Sequence, residues 1–180
     1  MTAQQIGLWC LFGLYCLVVG LFTGCYEPAY AEERFHGLVV EPEQRCSEYD
    51  PADYAYPATI EHRVWLTLGA PYSPYDNVVY PSLRSTDVDH LVPRSEAHDS
   101  GLCKASRAVR HAFANDLLNL ALASPHINRV EKRDRDIGEW VPTENQVWYA
   151  YRWLLVKQRY DLSIDERERD ALNRILSEKK

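Results

Sequence analysis

The sequence predicts a mixed α+β domain in which a short antiparallel hairpin is backed by helices, and three stretches carry that reading. Thr86 to Val92 alternates β-branched and polar residues and stops at Pro93, which cannot donate to a strand ladder. Leu117 to Ala123 alternates again, with Leu118, Leu120 and Leu122 on one face and Asn119, Ala121 and Ala123 on the other. Ser124-Pro125 then marks a helix start, serine as the cap and proline in the first turn.

Residues 1–31 are expected to lie outside that domain. Nineteen residues from Ile6 to Gly24 carry no charge, and Ala29-Tyr30-Ala31 supplies a small-x-small cleavage pattern ahead of Glu32. This is the pattern of a secretory signal peptide cut after Ala31, although no Lys or Arg precedes the apolar run. Phe22-Thr23-Gly24-Cys25 comes close to a lipobox, which would leave a lipidated Cys25. The run is also just long enough to span a bilayer uncleaved. All three readings put the rest of the chain outside the cytoplasm, secreted or periplasmic, and the first implies no stable membrane association. Cys10, Cys16 and Cys25 fall in this segment. The remaining pair, Cys46 and Cys103, is expected to form one disulfide in an oxidising compartment. It would tie the N-terminal extension to the loop beyond Asp89-His90.

Residues 32–80 are rich in proline and tyrosine, which favours loops and short extended pieces packed on the core. Within them Thr59 to Leu68 reads as a helical turn or two. Residues 81–142 hold the strand pair. Between the strands, Glu96 to Gly101 reads as a polar loop, and Ser106 to Asn115 as a short helix with Val109 and Phe113 inward. Trp140-Val141-Pro142 breaks the chain, and residues 143–180 add C-terminal helices to the same domain. Val147, Trp148, Tyr151, Leu154 and Leu155 follow helical spacing. Ser163-Ile164-Asp165-Glu166 reads as a capping box ahead of Leu172, Ile175 and Leu176.

A chain of 180 residues suits one compact domain with a sizeable core. Its net charge of −6 excludes a globally basic nucleic-acid binder but not a small basic cleft. The charge is in fact uneven: from His90 to Arg135, eight basic residues face five acidic ones.

The chemistry concentrates in one constellation. Asp89 and His90 end the first strand, Asn119 follows 29 residues after His90, and Asn128 nine residues later. Adjacent strand residues face opposite ways, so Asp89 and His90 serve one site only where the strand ends or distorts, as Pro93 permits. A carboxylate and an amide oxygen suit a hard cation, and a histidine titrating near neutrality can take a proton from water. Asp87 is an acidic neighbour that reads as a solvated strand residue.

From about Asp87 to about Pro142 this pattern resembles the HNH endonucleases of the ββα-metal class, including the HNH domain of RNA-guided CRISPR nucleases. The resemblance implies an exported bacterial-type member with a ββα-metal core, built from a short β-hairpin and a metal-site helix. It implies His90 as general base, Asn119 as brace of the histidine loop, and Asp89 and Asn128 as metal ligands. Arg94, Arg129 and Lys132 would contact substrate phosphates, whereas a solvated helix face explains Arg133 and Arg135 equally well. Many family members carry histidine where this chain has Asn128. Two oxygen ligands favour one Mg²⁺ or Mn²⁺ over Zn²⁺. The implied activity is hydrolysis of phosphodiester bonds in nucleic acid, DNA ahead of RNA, with low sequence specificity. Two other readings remain open: a zinc hydrolase using His90, His98 and His126, and a catalytically silent extracellular binding module on the same scaffold.

Overall fold

The computed structural model describes residues 32–177, so the expected export segment lies outside the described residues. The described chain is mixed α/β, with three two-stranded antiparallel hairpins and several helices, compatible with the expected α+β class. No helix among the described residues is long and apolar enough to cross a membrane.

The first hairpin joins β1 (Arg34–Phe35) to β2 (Leu38–Val39) through His36 and Gly37, at φ 50° and 87°. Two consecutive positive φ values are what a type I′ turn requires. A 3₁₀ turn, Pro51–Tyr54, precedes α1 (Ile60–Leu68). That helix ends at Gly69, whose left-handed φ of 75° lets its N–H reach the Trp65 carbonyl at 2.8 Å. The hairpin of β3 (Tyr72–Ser73) and β4 (Val78–Val79) follows.

The third hairpin pairs β5 (Asp87–His90) with β6 (Leu120–Ala123). Its register sets Asp87 and Asp89 opposite Ala123 and Ala121, and Val88 and His90 opposite Leu122 and Leu120. β6 is buried on both faces. Leu120 and Leu122 pack with Ile60 and Val64 of α1, while Ala121 and Ala123 join the main core around Tyr75, Tyr149 and Trp153. The alternation read from the sequence is therefore present from Leu120 onward. Leu117–Asn119 is instead a 3₁₀ turn, and Leu118 packs against the main core rather than beside Leu120.

Between β5 and β6 lie α2 (Arg94–Asp99) and α3 (Arg107–Ala114). The expected polar loop from Glu96 is thus a helix, and Glu96, Ala97 and His98 are all buried. Polar residues there follow no local rule, because their partners come from distant segments. In α3, Ser106 caps and Phe113 is buried as expected, but Val109 is exposed. After β6, the Ser124 hydroxyl accepts from Ile127 N–H and opens a turn that continues as a π-helix, Ile127–Lys132.

Two C-terminal helices, α4 (Gln146–Arg159) and α5 (Glu166–Ser177), close the core. The inward stripe of α4 is Tyr149, Ala150, Trp153, Leu154 and Val156, leaving Tyr151 and Leu155 exposed. Of the residues read at helical spacing, Leu154 is buried and Val147 and Trp148 pack against the core, so the period was right and the phase only partly so. Tyr149 and Trp153 can go inward because their polar ends find acceptors, the Leu91 carbonyl at 3.1 Å and Glu168 at 2.7 Å. The capping box sits two residues later than expected: Asp165 accepts from Glu168 N–H at 2.8 Å and Glu168 accepts from Asp165 N–H at 2.9 Å. Leu172 and Ile175 are buried as expected.

The expected disulfide between Cys46 and Cys103 is present. It closes a loop of 57 residues, and the chain-entropy account of such a closure gives about 4 kcal/mol.

Lys157 of α4 is fully buried. Its ammonium donates to Glu96 at 2.5 Å, to the Ser100 hydroxyl at 2.8 Å and to the Ser163 carbonyl at 2.9 Å, and it pairs with Glu168 at 3.1 Å. One charge thereby joins α2, α4 and α5. Lys157→Met should lower the unfolding free energy by about 3–5 kcal/mol, because two buried carboxylates lose their cation. Urea unfolding followed by circular dichroism measures this, and a variant as stable as the parent would refute the account.

Candidate active site

His90 ends β5 and lines a cleft of about 430 Å³ together with Asp89, Asn128, Arg94 and Tyr56. A larger cavity of about 710 Å³ lies beside β1–β2 and contains none of the expected site residues. His90 itself is only 6% exposed. Its ring stacks parallel to Phe113 and lies 5.4 Å from the Tyr56 ring. The His90 Nε2 is 3.0 Å from the Ala114 carbonyl oxygen, which can only accept, so Nε2 carries the proton and Nδ1 the lone pair. Burial pushes the His90 pKa down to about 3, and the neighbouring charges of Arg94 and Lys132 add to this. The hydrogen bond to the Ala114 carbonyl opposes the shift, and the imidazole is neutral at working pH though a weaker proton acceptor than a solvated one.

The backbone beyond His90 is held by Asn119, which is fully buried. Its side chain accepts from Val92 N–H at 2.8 Å and donates to the Val92 carbonyl at 3.1 Å. Its own carbonyl accepts from Leu91 N–H at 2.8 Å.

Asp89 is buried as well. Its carboxylate accepts from the Tyr75 hydroxyl at 2.6 Å and from the Lys132 ammonium at 3.2 Å. Burial raises its pKa, against the opposing pull of Lys132 and Tyr75. Asp87, expected to be a solvated neighbour, is bonded: Arg129 grips both of its oxygens at 2.6 Å, and Asn128 donates from Nδ2 at 3.2 Å. Burial pushes the Asp87 carboxyl up, but these donors outweigh it and hold it below its usual value. With Nδ2 of Asn128 committed to Asp87, Oδ1 has no hydrogen-bond partner among the described residues.

Two of the expected phosphate contacts need correction. Lys132 is fully buried, and its ammonium is spent on Asp89 and, at 2.7 Å, on the His90 carbonyl. As it sits, it ties the π-helix to β5 and has no surface exposed. Arg129 is exposed, but its guanidinium is engaged by Asp87 and it does not line the cleft. Arg94 does line it, with its guanidinium 5.6 Å from the Tyr56 ring centre.

The zinc triad of His90, His98 and His126 is not assembled. His98 is buried with both nitrogens engaged, Nδ1 by the Tyr54 hydroxyl and Nε2 by the Ser47 carbonyl, each at 2.9 Å. His126 is exposed and pairs with Glu131. Among the described residues, the one acidic or histidine trio within ligand distance is Glu43, Glu96 and Asp136, which belongs to none of the expected sets.

Sequence reasoning missed Tyr75 and Tyr56, and left Arg133 undecided between a phosphate contact and a solvated helix face. Tyr75 and Tyr56 lie in the Pro/Tyr-rich stretch, where nothing local separates a tyrosine that binds Asp89 from one that merely packs. Arg133 lines the cleft from a turn whose geometry the sequence does not announce.

The chain matches the family described as GmrSD restriction endonucleases, C-terminal domain, over residues 50–175. It is also 36% identical over 115 residues to a protein of Arthroderma benhamiae described as an uncharacterized secreted protein. The match covers 62% of this chain and 56% of that relative, so the chain spans about half of its length. No solved structure matches. Spanning more than two thirds of the sequence, the family match shows that the chain belongs to the GmrSD restriction endonuclease C-terminal domain family, an HNH-type nuclease family.

Proposed function

We propose that this chain is an exported, metal-dependent endonuclease that hydrolyses phosphodiester bonds of nucleic acid on a ββα-metal core, DNA ahead of RNA, with low sequence specificity. One observation carries the reading. A neutral His90, its Nε2–H tied to the Ala114 carbonyl, keeps an unprotonated Nδ1 in a cleft shared with Asp89 and Asn128. The order β5, β6, π-helix supports the core assignment.

The donors fit a hard cation. Asn128 has an amide oxygen without a partner among the described residues, fixed in direction by the bond from its Nδ2 to Asp87, and Asp89, whose carboxylate also binds Tyr75 and Lys132, would add an anionic oxygen. These two residues would hold one divalent cation, Mg²⁺ ahead of Mn²⁺ or Zn²⁺. Bound there, it would supply Lewis-acid stabilisation of charge on the scissile phosphate and leaving oxygen. The chain does the rest. His90 Nδ1 takes a proton from the attacking water, and the Ala114 carbonyl, bonded to Nε2–H, stabilises the imidazolium so formed. Asn119 keeps the His90–Val92 backbone fixed while this happens. Tyr75 and Lys132 favour the ionised form of Asp89 against its burial. Arg94 offers a cation to a substrate phosphate.

Export is part of the proposal, supported by the apolar run from Ile6 to Gly24, by the Ala29-Tyr30-Ala31 pattern after it and by the secreted relative. N-terminal sequencing of the exported protein should read Glu32 first. A start at lipidated Cys25, or an intact Met1, would overturn cleavage after Ala31.

His90→Ala should lower cleavage of plasmid DNA by about 10²- to 10⁴-fold while leaving metal binding intact, since a general base is not a ligand. Asn128→Ala should instead raise the Mg²⁺ concentration needed for half-maximal activity. Titrating Mg²⁺ against plasmid and structured RNA reads both, and parental activity in His90→Ala would sink the mechanism.

Asn119→Ala should lower activity and stability together, with about 1–3 kcal/mol lost because Val92 is left with unpaired polar groups. A variant that keeps both parental values would remove Asn119 from this role.

A further inference from the structure

Arg133 occupies a backbone conformation that suits glycine. Its φ is 56° and its ψ −123°, and Arg135 N–H donates to the Lys132 carbonyl at 3.1 Å. Those values describe the first central position of a type II′ turn spanning Lys132 to Arg135, where a Cβ is crowded and glycine is the usual occupant. Any other residue is strained there.

The surroundings explain how the strain persists. Lys132, just before it, is anchored in the core through Asp89 and the His90 carbonyl. The Arg133 N–H is captured by the Asn128 carbonyl at 3.0 Å. Three residues on, the Asp136 carboxylate accepts from Gly138 and Glu139 N–H. None of this needs an arginine, and glycine would meet the same constraints without strain.

What glycine lacks is the guanidinium. Arg133 is exposed and lines the His90 cleft with Asn128 and Arg94. It has no carboxylate partner among the described residues, whereas neighbouring Arg129 is neutralised by Asp87. Asp134 lines the same cleft and is the acidic group closest in sequence.

We propose that Arg133 is a substrate-binding residue whose guanidinium, with that of Arg94, grips a backbone phosphate of nucleic acid in the His90 cleft, at the expense of a strained turn. This deepens the nuclease reading and rests on it. It moves the phosphate contact from buried Lys132 to the next residue along. A planar fork of donors without a counter-ion suits a phosphate oxygen pair.

The test sets stability against binding, since a purely structural arginine would not move them in opposite directions. Arg133→Gly, Arg133→Lys and Arg135→Ala are made in the whole chain, each alone and with His90→Ala. Thermal unfolding is measured on the single variants. On the pairs, binding of a fluorescent DNA oligonucleotide is followed by anisotropy across a salt series. Arg133→Gly should unfold at a higher temperature than the parent yet bind about tenfold more weakly. The slope of log affinity against log salt should flatten by about one. Its loss of kcat/KM should fall mainly on KM. Arg133→Lys should keep the parental slope, and Arg135→Ala should bind more tightly than Arg133→Gly.

Unchanged affinity and slope in Arg133→Gly, or no oligonucleotide binding by the His90→Ala parent, would overturn the inference. Cleavage by the wild-type chain that survives Arg133→Gly undiminished, with His90→Ala inactive, would remove this inference and leave the nuclease reading standing. Binding lost in Arg133→Gly, with no cleavage by the wild type, would remove the nuclease reading and with it Arg133 as a substrate contact, leaving it a nucleic-acid contact alone.

Discussion

The buried ammonium of Lys132 is the contact on which the candidate site depends. It reaches from the end of the π-helix to Asp89 on β5 and to the carbonyl of His90. It therefore fixes the helix that carries Asn128 against the strand that carries the histidine. Removing an ammonium and a carboxylate from water is costly, and their attraction compensates only when further hydrogen bonds complete the set. The Tyr75 hydroxyl and the His90 carbonyl complete it here. The tension remains visible: burial lowers the pKa of Lys132 and raises that of Asp89, each opposed by the other's charge.

Lys157 repeats the device elsewhere. It too is fully buried, and it binds two carboxylates and two other oxygens from α2, α5 and the segment leading into α5. Such charges bring little net stability compared with well-packed apolar residues, but they tolerate few alternative arrangements. A hydrophobic contact slides, whereas a buried ammonium must find its acceptors or expose itself to water. The two lysines act at opposite levels. One organises the strand and helix of the cleft, and the other the helices behind it.

The residues around His90 divide into those that prepare the site and those left free to act. Ala114, Phe113 and Asn119 are buried and satisfied, and they set the orientation and protonation of the imidazole. Asp87 spends its charge orienting Asn128 and binding Arg129. Among the described residues, what remains without a hydrogen-bond or carboxylate partner at the cleft is the Nδ1 of His90, the Oδ1 of Asn128 and the guanidinium of Arg133. A net charge of −6 leaves few cations for a polyanion, so the uncompensated ones at the cleft matter more than the total.

The sequence by itself determined the β5–β6 pair, the Ser124 helix start and the cysteine pairing. Alternation, a proline stop, a serine cap and the two cysteines left beyond the apolar segment are all local or countable signals. It also singled out Asp89, His90, Asn119 and Asn128, which the fold gathers around the end of β5. Tertiary structure alone decided the rest. Helical spacing reports a period but not a phase, so the face that α4 turns inward waited on acceptors for Tyr149 and Trp153. Glu96 read as loop because its cation, Lys157, lies 61 residues away. Lys132 read as a surface cation because its burial depends on Asp89, 43 residues earlier. The alternative triad of His90, His98 and His126 fell to separate partners for each of them. In every case the deciding quantity was which distant group satisfies a buried charge or polar atom, and no local pattern encodes that pairing.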